Sequence, residues 1–235
     1  MNARDYYQKT LARNCVRDKS KSSVACQEDG VDWMVSCVES LPRLNGSLLD
    51  IGCQTGDLLE RVSGYFKTSC GVDIGDYSEY WQRAEHVKFL THDIDSRPLP
   101  FPDDHFDVVT CFMVLEHVFD VFGLVKDISR LTKQGGYAVI EVPNAGYIKH
   151  ILTLLRGRVP RTGEQKYPFE ESEGWDSQHL HYFTLAELIS LCNQFNLRMI
   201  AHRTRGKYKR IRRIWPSLLF ASHTLILQKT PRNMS

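Results

Sequence analysis

The chain has 235 residues, 42% of them hydrophobic and 25% charged, ordinary values for a globular protein that can bury a core without staples. Its formal net charge of +2 is too small to argue for a nucleic-acid partner, and its seven cysteines (15, 26, 37, 53, 70, 111 and 192) are odd in number with no C-x-x-C pair. This argues against a disulfide framework or a cysteine zinc site and predicts reduced thiols in a soluble, cytoplasmic protein. Its first residues carry no apolar signal core, and no run approaches the ~18 apolar residues of a membrane span.

In chain order, residues 1–46 read as a helical N-terminal cap. Tyr6, Tyr7 and Leu11 are spaced for one helix face, as are Val31, Met34, Val35 and Val38, with a polar loop from Arg17 to Gln27 between them. The first strand is Leu48–Ile51. It carries one acid, Asp50, and runs through the glycine-bearing turn Gly52–Gly56 into a helix beginning at Asp57. A second strand, Ser69–Ile74, ends in Asp73 and Ile74; a short helix over Ser78–Ala84 leads to a third strand, Val87–Leu90, and the polar turn Thr91–Ile94. Pro98–Asp104 is loop, Phe106–Phe112 the fourth strand, Val125–Leu131 a helix closed by Gly135-Gly136, and Tyr137–Val142 the fifth strand. A helix over Tyr147–Leu155 follows, and Thr184 with Glu187 three residues later forms a capping box opening the next one. Leu197–His202 and Thr224–Gln228 close the fold. The alternation predicts an α/β, Rossmann-like single domain, with a central mostly parallel sheet and helices on both faces.

A strand feeding a helix through a glycine turn offers free backbone N–H groups to a polar ligand. Three ligand classes use such a turn. The dinucleotide fingerprint G-x-G-x-x-G fails twice here, since Gln54 and Asp57 occupy its second and third glycine positions, and no G-K-[ST] string supports a triphosphate loop. The acid ending the second strand would face the same crevice as the turn, where it suits the paired hydroxyls of a ribose.

LLDIGCQTG, GVDI, THDID, LPFPDDHFDVVTCFMVLEHV and KQGGYAVIEVPN resemble, in order and spacing, the motifs of class I S-adenosylmethionine-dependent methyltransferases. The likeness covers about residues 45–145, and HLHYFTLAEL with the last strands extends it toward small-molecule and glycan-modifying members. It implies a seven-stranded sheet whose last strand is antiparallel, and S-adenosyl-L-methionine as cofactor. By the same resemblance, Asp50, Gly52, Cys53, Gln54 and Gly56 form the turn for the methionine moiety. Asp73 takes the ribose hydroxyls, and Ile74, Asp93 and Ile94 surround the adenine. Phe112, Met113 and Leu115 wall the sulfonium. Gln54 replaces the usual central glycine, so its side chain either crowds the cofactor or points outward.

Methyl transfer needs alignment above all, and a hydroxyl acceptor also needs a base. His117 is the first candidate, with His179 and His181 a second pair that would share a face on a strand but need not in a turn. Each also has a purely structural reading. Two histidines without a third ligand do not make a metal site, so the sequence predicts no metal and a metal-independent, in-line displacement at oxygen of a small-molecule, sugar or lipid-linked acceptor. The alternatives are an RNA or protein methyltransferase, or a non-catalytic member that binds cofactor or a partner. The segment 144–182 reads as a substrate lid. The segment 203–221 is a basic and apolar insertion between the last two strands, whose run Arg203–Arg213 has seven basic residues in eleven. That run reads as a solvated face, a peripheral contact with anionic membrane, or a phosphate or RNA contact.

Overall fold

A computed structural model describes residues 24–42, 45–77, 80, 86–163, 175–205 and 214–231. The elements in order are α1 (Val24–Glu39), β1 (Ser47–Ile51), α2 (Asp57–Val62), β2 (Thr68–Asp73), β3 (Val87–Thr91), β4 (Phe106–Phe112), α3 (Val121–Leu131), β5 (Thr132–Pro143), α4 (Ile148–Leu155), α5 (Leu185–Gln194), β6 (Leu197–Arg203), α6 (Pro216–Leu219) and β7 (Ser222–Lys229). The strands form one seven-stranded sheet in the order β3-β2-β1-β4-β5-β7-β6. Strands β1 to β5 pair in parallel, and β7 runs antiparallel to both β5 and β6. The predicted antiparallel last strand is therefore present.

Alternation along β1 explains the layering. All five of its residues are buried, as befits a central strand covered on both faces. Leu49 and Ile51 join a cluster with Leu124, Val125 and Ile128 of α3 and Leu188 of α5. Leu48 points the other way, into a cluster with Trp33, Val35 and Val38 of α1 and Leu58, Leu59 and Val62 of α2. Each fully buried aliphatic side chain contributes about 1.5–3 kcal/mol of transfer free energy. The order of strands reverses between β1 and β4, which places a crevice outside their carboxyl ends.

Differences from the expected elements have local causes. Helix α1 begins at Val24, inside the stretch expected to be loop. Helix α3 begins four residues earlier than the apolar spacing implied, because Asp120 caps it by accepting from the Gly123 amide at 2.8 Å. The glycine pair does not close that helix, which ends at Leu131. It sits instead in a bulge of β5, where the register jumps from Phe106–Thr132 to Val108–Tyr137. A Cβ at Gly136 would lie 2.9 Å from the carbonyl oxygens of Asp107 and Lys133, so no larger residue fits the bulge. The capping box at Thr184 forms as predicted. Tyr6, Tyr7, Leu11 and nearly all of the Ser78–Ala84 helix lie outside the described residues.

Candidate active site

The turn after β1 is shaped by backbone conformation. Gly52 has φ +77, and a Cβ there would stand 2.3 Å from Val114 Cγ2; Gly56, with φ +79, starts α2. Gln54 also lies in the left-handed region, at φ 44, with its side chain exposed. The residue that replaces the expected glycine thus keeps a glycine conformation and turns outward. Four of the six non-glycine residues with positive φ among the described residues surround this crevice and its facing loop: Gln54, Met113, Asp176 and Gln178. Strained backbone of this kind gathers at functional sites.

The acids expected to face the cofactor are held by neighbours. Asp50 is buried, accepts the Thr110 hydroxyl at 2.6 Å, and burial pushes its carboxyl up to about 7. Asp73 accepts the Gln54 amide at 2.9 Å and the Gly75 amide at 2.8 Å, while burial raises its pKa against these two amides and that of Ile74. A carboxylate has about four acceptor sites, so Asp73 keeps capacity for a hydroxyl donor such as a ribose supplies. Ile74 follows, half-buried. Asp93 caps its own turn, accepting from the Asp95 amide at 2.9 Å and the Ser96 hydroxyl at 3.1 Å, and Ile94 is buried. Cys53 is buried, its thiol held well above the usual range, first by desolvation and then by Asp50.

At the end of β4, Phe112 is buried and Met113 stays 36% exposed at φ 56, a position suited to the reacting centre. Leu115 is different. It is fully buried in the core cluster between sheet and α3 and supports the wall from behind.

The next two residues open the acceptor side. His117 Nδ1 lies 3.3 Å from the Gln178 carbonyl, and its ring meets that of His179 edge-on at 4.7 Å. Desolvation, then the neighbouring His179, lowers His117 to about 4, so it is neutral near pH 7. His179 is also lowered, by burial, with Asp176 opposing. His179 Nδ1 lies 2.6 Å from Thr162 Oγ1, which lies 3.2 Å from Asp176 Oδ2; Tyr182 donates to the same oxygen at 3.0 Å. Glu116 is 1% exposed, and burial raises its carboxyl to about 8. Its carbonyl accepts the amides of Leu180 and His181, drawing the 175–183 segment across the end of β4.

Two expectations change here. His179 and His181 do not form a pair: the segment is not a strand, and only His179 joins Glu116 and His117 in a group whose ligand atoms all lie within 4.8 Å of one another. A third residue with a potential donor atom, Glu116, therefore stands beside the two rings. His181 instead borders an apolar groove lined by Phe119, Val121, Phe122, Tyr182 and Phe183. Glu116, Thr162 and Asp176 were not singled out from the sequence. The one available signal was the position of Glu116 directly before His117.

The basic insertion is described only at its margins. Arg203 donates to the Ser36 carbonyl at 2.6 Å and lies over the Trp33 ring, and Arg205 approaches the buried Glu141 at 3.5 Å. These two cations bind the chain's own α1 and β5; residues 206–213 lie outside the described residues. No described helix is long and apolar enough to cross a membrane.

A ubiquinone biosynthesis O-methyltransferase of Thiobacillus denitrificans is 28% identical over 120 residues, 48% of this chain and 51% of that protein. An uncharacterised methyltransferase of Bacillus subtilis, YcgJ, is 35% identical over 101 residues, 40% of this chain and 39% of that one. The chain spans about half the length or less of these curated relatives. Among solved structures, the N-methyltransferase NodS of Bradyrhizobium japonicum, in complex with S-adenosylhomocysteine, superposes with a TM-score of 0.60 at 14% identity, covering 96% of this chain and 99% of that one. The [4+2]-cyclase SpnF superposes at 0.63 with 12% identity, covering 94% and 93%, so likeness at this level shows the fold and not the reaction. The model of a methyltransferase-domain family matches residues 19–202. With that match over most of its length, the chain belongs to the methyltransferase-domain family, within the class I S-adenosylmethionine-dependent superfamily.

Proposed function

We propose that this chain transfers a methyl group from S-adenosyl-L-methionine to an oxygen of a small-molecule, sugar or lipid-linked acceptor. The observation that carries the reading is the pairing, across one crevice, of an acid-edged glycine turn with two neighbouring imidazoles, the half-buried His117 and the buried His179, both held below the usual histidine range. The named activity of the ubiquinone-pathway relatives supports oxygen as the acceptor atom.

When bound, the cofactor supplies an electrophilic methyl on a sulfonium. The chain's part is to hold and align. Asp73 takes the ribose hydroxyls, the Gly52–Gly56 turn with Asp50 holds the methionine moiety, and Ile74, Asp93 and Ile94 surround the adenine. Phe112 and Met113 shield the sulfonium from water, which leaves positioning to supply most of the rate. His117 and His179 face the acceptor's hydroxyl. Of the lid expected over 144–182, residues 164–174 lie outside the described residues; in the described part, Thr162 and Asp176 join the segment to His179 beside the acceptor. A base held near pKa 4 is poorly matched to abstracting a hydroxyl proton unaided, so His117 acts within its cluster rather than alone.

Incubation with methyl-labelled S-adenosylmethionine and a panel of phenols, sugars and lipid-linked hydroxyl compounds tests the reading. Label should appear in at least one hydroxyl acceptor and fall sharply in His117→Ala, with cofactor binding unchanged in that variant. Transfer only to amines, RNA or protein would replace the oxygen reading. Unchanged turnover in His117→Ala would remove His117 from the reaction.

A further inference from the structure

Glu116 is 1% exposed, yet neither carboxylate oxygen has a hydrogen-bond partner, and no described lysine or arginine pairs with it. A buried carboxyl group with no hydrogen-bond partner costs about 1–3 kcal/mol even in its protonated form, and more as the carboxylate. Around it, one ligand atom each from Glu116, His117 and His179 lies within 4.8 Å of the other two.

The two rings are set for the same task. The Gln178 carbonyl beside His117 Nδ1 can only accept, which puts the proton on Nδ1 and the lone pair on Nε2. For His179 the order runs from Nδ1–H to Thr162 Oγ1, and from the Thr162 hydroxyl to the Asp176 carboxylate. Such an outer chain, ending in a carboxylate, is what fixes the tautomer of metal-ligating histidines. These bonds at Nδ1 leave Nε2 as the lone-pair nitrogen of each ring, in a group that also holds the unpartnered Glu116 carboxyl.

We propose that Glu116, His117 and His179 form a site for a divalent first-row transition ion, of which Zn2+ is the type, with an open position for the acceptor oxygen. Two imidazoles and one carboxylate are a donor set of catalytic zinc sites and of other N/O transition-metal centres, whereas Mg2+ and Ca2+ prefer all-oxygen shells. Tetrahedral ligands about 2.0–2.2 Å from zinc stand roughly 3.4 Å apart, so side-chain rotation closes the present spacing.

The role of the ion, though not its binding, rests on the methyl-transfer reading. An acceptor hydroxyl taken into the open position loses its proton to solvent water more readily. The new O–CH3 bond then forms as the S–CH3 bond breaks, the bonding pair staying on sulfur, and S-adenosylhomocysteine leaves. The proposal replaces the metal-independent displacement expected from sequence.

The test uses the full chain, stripped with a chelator and then titrated with Zn2+ by calorimetry, with Co2+ as an optical probe. Wild type should bind one equivalent of Zn2+, and Co2+ should give ligand-field absorption. Glu116→Gln, nearly isosteric, should abolish both; His179→Asn should weaken binding at least tenfold, and Thr162→Val should weaken it about 10-fold through the lost outer contact. Unchanged S-adenosylhomocysteine-induced thermal stabilisation in Glu116→Gln shows that the variant is folded. Wild type that takes up no Zn2+, or Glu116→Gln and His179→Asn that keep wild-type stoichiometry and affinity, would overturn the proposal. Methyl transfer that persists after chelation removes the ion's catalytic role and leaves the cofactor reading standing. Zn2+ binding without any S-adenosylmethionine-dependent transfer does the reverse.

Discussion

On the β1–β2 side of the crevice each acid has a partner supplied by the chain: Asp50 takes the Thr110 hydroxyl, and Asp73 takes the amides of Gln54 and Gly75. On the β4 side, Glu116 is buried as deeply with nothing bound to either oxygen. The two sides therefore stand differently toward a ligand. The side proposed for the cofactor is preorganised by local backbone and can fold complete, at the cost of a left-handed Gln54. The acceptor side collects polar groups from segments far apart in sequence and leaves the central one unsatisfied, so a ligand there contributes to stability as well as chemistry.

The largest expected effect comes from damaging the preorganised side. Gly52→Val adds a β-branched side chain at φ +77, where even a Cβ would lie 2.3 Å from Val114. Overpacking and backbone strain together predict a loss of about 2–4 kcal/mol in chemical denaturation, with no stabilisation by cofactor. A Gly52→Val protein that kept both properties would show that the turn is not rigid.

Acid sensitivity provides the next test, on the β4–β7 half of the sheet. His223 is fully buried, with Nδ1 3.0 Å from His202 Nε2, and desolvation followed by His202 lowers it to about 3. Its neutral form is the folded form, so stability is full above the unfolded pKa of about 6.5 and falls as pH drops from there toward 3. The slope is at most about 1.4 kcal/mol per pH unit, or about 2 kcal/mol between pH 6.5 and 5. His223→Gln should flatten that limb of the stability curve. An unaltered acid limb would assign the sensitivity elsewhere.

Thr162→Val sharpens the contrast between the two sides. It cuts the His179–Thr162–Asp176 chain, with an expected loss of about 1 kcal/mol. Cofactor affinity should not change, because no cofactor-side residue depends on that chain. Coupled loss of cofactor binding would mean that the sides are not independent.

The smallest expected effect has the opposite sign. Gln54→Gly relieves a left-handed side chain while adding chain entropy to the unfolded state, for a net gain of about 0.5–1 kcal/mol. Because the side chain is exposed, cofactor affinity should stay level or rise. Weaker binding would make Gln54 a ligand contact rather than a tolerated replacement.

What could be read from residues alone follows the same division. Asp50, Gly52 and Gly56 sit within seven positions, and Thr184 with Glu187 is a four-residue motif, so their geometry is set by neighbours in sequence. The Glu116–His117–His179 group is not local. His117 meets the Gln178 carbonyl 61 positions away because Glu116 O binds the amides of Leu180 and His181, and no periodicity encodes that contact. The bulge at Gly135-Gly136 was misread for a related reason. A glycine pair after a helix looks like its end, and only the pairing with β4 shows that the strand has already begun.

Calorimetric titration with S-adenosylhomocysteine, on wild type and on Asp73→Ala side by side, tests the central claim that the crevice holds this cofactor. Wild type should bind one equivalent, and Asp73→Ala should lose at least tenfold in affinity while remaining folded. Absence of binding by the wild-type chain, or equal binding by both proteins, would contradict the assignment of the β1–β2 crevice as the cofactor site.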